Sequence, residues 1–309
     1  AEVVTGCSEE REQEGREREG ERGDGMAKAL HGLVREEACL DLGLEEGPFR
    51  RLRVGGGVVL HVHCRDGEQE EELLACLAAI APLRHAGLLP LLRVHRDGSR
   101  QEVQAVFGEA VAVEWAGAEG PLPECALAAV LRQTVEALAF LADAGARAGS
   151  LRAEHILAAN GRAVLAVYTP AGHDHPFQCW RRRRGDFIGL PYWLPPGVIN
   201  ETELGSTVVA DIWALGITAI ELAESRPPRA HLHPMRAVFE ISRMTEPPKL
   251  TDKEGWSSDL HHFIASCLVI DPAARPSPHE LLAHPLFRAE GLDEALALEL
   301  GLKLSQTPA

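Results

Sequence analysis

Residues 211–222 read DIWALGITAIEL, and this stretch decides the fold. Its apolar residues, among them Trp213, Leu215 and Ile217, lie on every side of a helix, which is the pattern of a helix buried on all its faces. Asp211 places one carboxylate at the start of the stretch. A fully buried helix must be surrounded by other elements, so the stretch predicts the centre of a mostly helical domain.

The chain upstream of this helix shows two kinds of periodicity. Between about residues 38 and 116, short runs with partial apolar and polar alternation are separated by glycine-rich turns, which predicts strands joined as a meander. From about residue 117 to 288 apolar residues recur every three or four positions, most clearly over 123–144, which indicates helices. The sequence therefore predicts an α+β upper lobe and a mostly helical lower lobe.

The two ends of the chain differ from this middle part. Residues 1–37 are rich in Glu, Arg and Gly, and we expect a disordered lead-in there. Residues 289–309 contain an amphipathic segment, for which we predict a C-terminal helix or a linker. The chain begins Ala-Glu-Val-Val without an initiator Met or an apolar signal core, so we expect a fragment rather than a secreted precursor.

Composition narrows the classes of function. The formal net charge of −15 argues against a nucleic-acid-binding protein, because such proteins normally carry a basic face. Seven scattered cysteines without a C-x-x-C pair suggest reduced thiols rather than a disulfide framework. The longest apolar runs are too short or too often interrupted by polar residues to predict a membrane span. We therefore expect a cytoplasmic protein.

Several motifs around the central helix follow one another in a fixed order. They are FIGLPYW at 187–193, GITAIEL at 216–222, HPMRA at 233–237, PPKL at 247–250, RPS at 275–277 and HPLF at 284–287. On these motifs the chain resembles the germinal-centre branch of the STE20 protein kinases over about residues 39–287. The resemblance implies a two-lobed protein kinase-like domain over residues 38–288. It also implies structural roles for Asp211, which would accept backbone N–H bonds from the catalytic loop, and for Trp213 and Arg275.

The phosphate-binding loop that the resemblance implies is altered. It reads Gly43-Leu44-Glu45-Glu46-Gly47-Pro48, so Gly43, Glu45 and Gly47 mark a degenerate form of the loop. Two carboxylates would lie close to anionic phosphates, and the proline removes a backbone donor. This loop is therefore predicted to be unfavourable for ATP.

The lysine that binds phosphate oxygens in the family is also missing. His61 stands at its position, and no lysine lies between Lys28 and Lys249. A histidine is shorter than a lysine and mostly neutral at pH 7, so we interpret His61 as an ordinary surface or core histidine. The lysine's carboxylate partner would fall near Glu72 or Cys76 on the following helix.

The catalytic loop and the metal-binding motif carry further replacements. By the resemblance, Ser150 stands at the catalytic Asp, Arg152 at the Lys after it and His155 at a metal-binding Asn. Serine cannot act as the carboxylate that accepts the substrate proton, and histidine is a poor ligand for Mg²⁺. Val167 replaces the metal-binding Asp and supplies no oxygen. We therefore expect neither ATP nor Mg²⁺ as a cofactor.

The regulatory segment is changed as well. Residues 170–189 contain no Ser, Thr or Tyr that could be phosphorylated. Pro195-Pro196-Gly197 replaces the family's Ala-Pro-Glu, so the glutamate that would pair with Arg275 is absent. Arg275 is then expected either to be more exposed or to find another partner.

A basic run in this acidic chain offers a candidate docking site. Arg181, Arg182, Arg183 and Arg184 are consecutive, and they form either a solvated loop or a docking site for an acidic or phosphorylated segment.

The bulk of Phe49 and Val59 is expected to fill part of the adenine cleft.

Together these patterns predict a catalytically inactive kinase-like domain, a pseudokinase. Its function would be that of a scaffold or allosteric module, and its partners would be signalling proteins such as an active kinase. Two alternatives stay open. The chain could be a weak or unconventional serine/threonine kinase that binds ATP with Arg152, His61 and outlying carboxylates, or a drifted copy without a selected activity.

Overall fold

A computed structural model describes residues 49–54, 57–63, 67–97, 102–112, 122–149, 151–166, 169–170, 181–183, 186–188, 191–203, 207–252 and 254–306. Within these ranges a mainly β part is followed by a larger helical part. The predicted α+β fold with N-terminal strands and a helical C-terminal part is therefore confirmed.

The described part of the upper lobe is an antiparallel sheet with a helix packed against it. Its strands are β1 (Phe49–Val54), β2 (Gly57–His63), β3 (Leu91–Asp97) and β4 (Glu102–Glu109), in the order β1-β2-β4-β3. Buried residues alternate along β4 at Val103, Ala105 and Phe107, which gives the sheet an apolar face. Helix α1 (Gly67–Ile80) packs against β3 and β4 and buries Leu73 and Leu77.

The chain enters the lower lobe through a short strand. Strand β5 (Val111–Ala112) pairs with β7 (Ile156–Ala159), which pairs in turn with β8 (Arg162–Leu165). Strand β5 thus joins a lower-lobe sheet instead of extending the upper one.

The other elements of the lower lobe are mostly helices. They are α2 (Glu124–Asp143), α3 (Pro196–Ile199), α4 (Val208–Glu224), α5 (Pro234–Ser242), α6 (Ser258–Cys267), α7 (Pro278–Leu282) and α8 (Leu292–Gln306). The remaining strands are two antiparallel pairs, β6 (Ala146–Arg147) with β9 (Thr169–Pro170) and β10 (Arg181–Arg183) with β11 (Asp186–Ile188).

Helix α4 is the buried central helix that residues 211–222 predict. It begins after Thr207, whose side chain accepts a hydrogen bond from the backbone N–H of Ala210. Every residue from Ala210 to Ile220 is buried. Gly216 sets the distance to α6, since a Cβ there would lie 2.7 Å from the side chain of Leu268. The two helices pack at this point only because position 216 has no side chain.

Helix α2 is long and apolar enough to cross a membrane by length and composition, but most of it is buried inside the protein, as is typical of a core helix. Part of this burial comes from the C-terminal segment. Residues 292–306 form α8, which packs on α2 through Leu296 and Leu300. Asp293 accepts hydrogen bonds from Arg132 and Gln133 of α2.

Candidate active site

The carboxylate of Asp211 lies at the start of α4 and is fully buried. Its two oxygens accept the backbone N–H groups of Ala148 and Gly149, each at 2.8 Å. Burial raises the pKa of Asp211 to about 6, although the charge of Arg147 and the two hydrogen bonds favour the ionised form. Asp211 therefore holds the backbone immediately before residue 150, at the beginning of the loop that corresponds to the catalytic loop.

Arg152 and His155 bind each other within this loop. Arg152 Nε donates to His155 Nε2 at 3.2 Å, and the guanidinium also forms an ion pair with Glu154. The guanidinium carbon lies 5.6 Å from the centre of the Trp193 ring. The Nε2 atom of His155 also lies 3.5 Å from a carboxylate oxygen of Glu154. The guanidinium of Arg152 and the Nε2 atom of His155 are thus both in contact with neighbouring side chains of the protein.

Glu221 connects this loop to the segment at 191–193, and reasoning from the sequence missed it. One carboxylate oxygen of Glu221 accepts the backbone N–H of Ala153 at 3.0 Å and the indole N–H of Trp193 at 2.9 Å. Burial raises the pKa of Glu221, and the two hydrogen bonds oppose that rise. A carboxylate on a core helix needs a hydrogen-bond partner when it is buried, and that signal could have identified Glu221.

The lysine position lies in the upper sheet. His61 is on β2, opposite Arg50 of β1 and Gln104 of β4. On α1 Glu70 is a buried carboxylate, and it forms an ion pair with Arg96 of β3. Cys76 is also buried on α1, and the side chain of Glu72 lies outside the described residues.

Comparison with known proteins places this fold in a family. A model of the protein kinase domain matches residues 62–287. The chain belongs to the protein kinase family. The expected protein kinase fold is confirmed by this match.

Curated relatives of the kinase domain include STE20-like serine/threonine kinases. The human "Mitogen-activated protein kinase kinase kinase kinase 3" is 41% identical over 184 residues, which cover 59% of this chain and 20% of that protein. The "Serine/threonine-protein kinase cst-1" of Caenorhabditis elegans is 42% identical over 176 residues, 56% of this chain and 34% of the relative. The "Serine/threonine-protein kinase 4 homolog A" of Dictyostelium discoideum is 40% identical over 166 residues, 53% and 35% of the two chains. The matched part therefore spans between a fifth and about a third of these relatives.

Some of the kinase positions singled out in the sequence lie outside the described residues. They are Gly43, Glu45, Gly47, Ser150, Val167 and Arg184. Phe49 and Val59 lie on β1 and β2, but their side chains are not among those described, so filling of the cleft stays a prediction.

The arginine run of this kinase domain does not form a simple loop. Arg181–Arg183 form β10, which pairs with β11 so that Arg182 lies opposite Phe187 and Arg183 opposite Asp186. Residues 181–183 are therefore a strand rather than a loop, and the solvation of their side chains lies outside the described residues. Docking of an acidic segment is not tested by this geometry.

Arg275 of the kinase domain is buried. The expectation that this side chain is more exposed is therefore wrong. Its side chain is 0% exposed and forms a two-pronged ion pair with Glu203, at 2.6 and 3.0 Å. The guanidinium also donates to backbone carbonyls, including that of Val269 at 2.7 Å, and lies over the Trp213 ring. Glu203 is therefore the other partner that the sequence left open.

Gly197 makes room for this replacement. A Cβ at residue 197 would lie 2.7 Å from a carboxylate oxygen of Glu203 and 2.8 Å from its Cβ. The backbone N–H groups of Thr202 and Glu203 donate to the carbonyl of Gly197, at 2.9 and 3.1 Å. The chain thus curls back after α3 and brings a carboxylate six residues later to Arg275. The glycine that stands at the family's glutamate position, residue 197, is the feature of the sequence that could have pointed to a different partner for Arg275.

Proposed function

We propose that this kinase domain is a pseudokinase that acts as a scaffold or allosteric binding module in kinase signalling. The observation that supports it best is the contact between Arg152 and His155. Phosphoryl transfer depends on groups that bind phosphate and metal ions, and these two positions are among those that would have to supply them. Here the cation is turned towards Glu154 and Trp193, and the imidazole nitrogen accepts its hydrogen bond.

The alternative of a weak kinase requires this network to open. Arg152 would have to leave Glu154, His155 and the Trp193 ring before it could reach a phosphate. His155 would then have to bind Mg²⁺ through nitrogen, although that ion prefers oxygen. Asp211 accepts the backbone N–H of Ala148, and Glu203 forms an ion pair with Arg275. These two contacts support a stable lower lobe, which a binding module needs and a drifted copy does not.

A thermal shift assay with Mg-ATP tests the loss of nucleotide binding. We expect no stabilisation, whereas a ligand at 100 times its Kd would add about 2.7 kcal/mol to the free energy of unfolding. The kinase domain of the human relative, measured in the same buffer, is the positive control. A stabilisation by Mg-ATP that EDTA removes would overturn the predicted loss of nucleotide binding and favour the alternative of a weak kinase that binds ATP.

The partner we propose for the arginine run is an acidic or phosphorylated segment of another cytoplasmic signalling protein. Arginine guanidinium groups bind carboxylates and phosphates with two parallel hydrogen bonds, which suits such a segment. We expect these four side chains to be exposed, and replacing Arg181, Arg182, Arg183 and Arg184 by serine should then leave the melting temperature nearly unchanged, because exposed charges add little stability. It should weaken capture by beads carrying a glutamate-rich phosphoserine peptide, most strongly at low salt. Equal capture of both proteins at low salt would rule out docking by the run.

A further inference from the structure

Helix α5 presents two large apolar side chains to solvent. Met235 is 50% exposed and Phe239 is 59% exposed. They are four residues apart on one helix, so they are neighbours on the same face. In the part of the chain that the structure describes, the other large exposed apolar residues are Leu92 and Leu298, which lie on β3 and α8. An exposed apolar pair of this kind is typical of a protein-binding surface.

The opposite face of α5 is already packed. Ala237, Val238 and Ile241 are buried against Tyr192 and Ile199. Both ends of the helix are held as well, since the hydroxyl of Tyr192 donates to the carbonyl of Leu232 at 2.7 Å and the side-chain amide of Asn200 donates to the carbonyl of Ser242 at 2.8 Å. The core contacts of α5 therefore do not require Met235 and Phe239. The packing holds the helix in place while both side chains face solvent.

The segment that carries this pair is basic in sequence. Residues 226–243 contain four arginines and a single carboxylate, Glu240, in a chain whose net charge is −15. Arg229 and Arg236 share that carboxylate, at 3.8 and 3.2 Å. Arg243 lies over the Phe239 ring, with 5.2 Å between the guanidinium carbon and the ring centre. We call Arg229, Met235, Arg236, Phe239 and Arg243 the α5 surface.

We propose that the α5 surface binds an acidic, amphipathic segment of a partner protein. Carboxylates of the segment would pair with Arg236 and Arg243, and its apolar residues would cover Met235 and Phe239. A second copy of this chain is a poor occupant, because a symmetric pairing through the α5 surface would place its arginines against one another. The inference deepens the proposed binding role, but it does not depend on the loss of catalysis.

Fluorescence polarisation with the full chain tests the proposal. The probe is a fluorescein-labelled helical peptide of glutamate and alanine that carries two leucines four residues apart. We expect Met235→Ser with Phe239→Ser, and separately Arg236→Ser with Arg243→Ser, to weaken binding about tenfold or more. The arginine effect should shrink at high salt, because salt screens exposed charges.

Leu298→Ser is the matched control, since Leu298 is 68% exposed but lies on the acidic helix α8. This variant should bind the peptide like the wild type. Equal affinity of the wild type and the Met235→Ser, Phe239→Ser variant would overturn the proposal, as would equal binding of a peptide with serines in place of its leucines. Self-association in sedimentation that the same double variant abolishes would also overturn it, in favour of a second copy. Binding of Mg-ATP would contradict only the predicted loss of nucleotide binding.

Discussion

The partner of Arg275 illustrates how much a single position can change at the scale of the residue. The carboxylate at 203 and the missing side chain at 197 are complementary, because the carboxylate occupies the space that a Cβ at 197 would need. The ion pair is almost completely removed from water, with exposed side-chain fractions of 0% and 5%. Loss of one partner would leave a buried charge without compensation, and that is expensive in free energy.

Replacing Glu203 should therefore destabilise the domain strongly. We expect Glu203→Ala to lower the free energy of unfolding by about 3–5 kcal/mol, the usual cost of breaking a buried ion pair. The double variant Gly197→Glu, Glu203→Gly returns the carboxylate to the usual family position and should recover part of that loss. Urea unfolding of the three proteins measures both effects.

The exposed Glu246 provides the control for this test. Glu246→Gln should change the free energy of unfolding by no more than about 0.5 kcal/mol, as for most surface substitutions. A Glu203→Ala variant that is as stable as the Glu246→Gln variant would contradict the role of Glu203.

At the scale of the element, the contact between α4 and α6 depends on the absence of a side chain. Helix α4 is apolar on all its faces, so several helices and strands can approach it closely. At Gly216 the approach is so close that even a methyl group would overlap Leu268 and Cys267. Sequence periodicity predicts the burial of α4, but it does not reveal which helix comes nearest.

Two helical glycines should therefore respond to alanine in opposite ways. Gly216→Ala should destabilise the domain by about 1–3 kcal/mol, because overpacking forces α4 and α6 apart. Gly301→Ala on α8 should stabilise it by about 0.5–1 kcal/mol, since nothing lies within 4 Å of the added Cβ and alanine favours the helix. Thermal and urea unfolding of both variants measure the difference. A Gly216→Ala variant as stable as Gly301→Ala would disprove the close approach.

At the scale of the whole molecule, the buried carboxylate of Asp211 links stability to pH. Burial raises the pKa of Asp211 to about 6. Between the pKa of the unfolded chain, near 4, and this value, the folded protein holds a proton that the unfolded chain has lost. The contribution of Asp211 to the free energy of unfolding therefore increases as the pH falls from 7 towards 4.

Comparison with Asp211→Asn isolates this effect, because the other carboxylates titrate in both proteins. The wild type should gain stability relative to the variant by up to about 1.4 kcal/mol per pH unit below pH 6. Urea unfolding at pH 7, 6 and 5 measures the difference, and a ¹³C NMR titration of the Asp211 carboxyl gives the pKa in the wild type directly. A difference that shrinks on acidification, or a normal carboxyl pKa, would contradict the prediction.

The sequence by itself determined the fold class, the family and the central helix. Each depends on local periodicity or on short motifs in a fixed order, and these are properties of neighbouring residues. The tertiary structure alone decided the partner of Arg275, the engagement of Arg152 by His155 and Trp193, and the role of Glu221. Most of these contacts join residues far apart in the sequence, such as Glu203 with Arg275 and Glu221 with Trp193, and they depend on how loops curl and how closely helices approach. The exposed pair on α5 belongs to the same class, since its sequence did not show which apolar residues the core would leave uncovered.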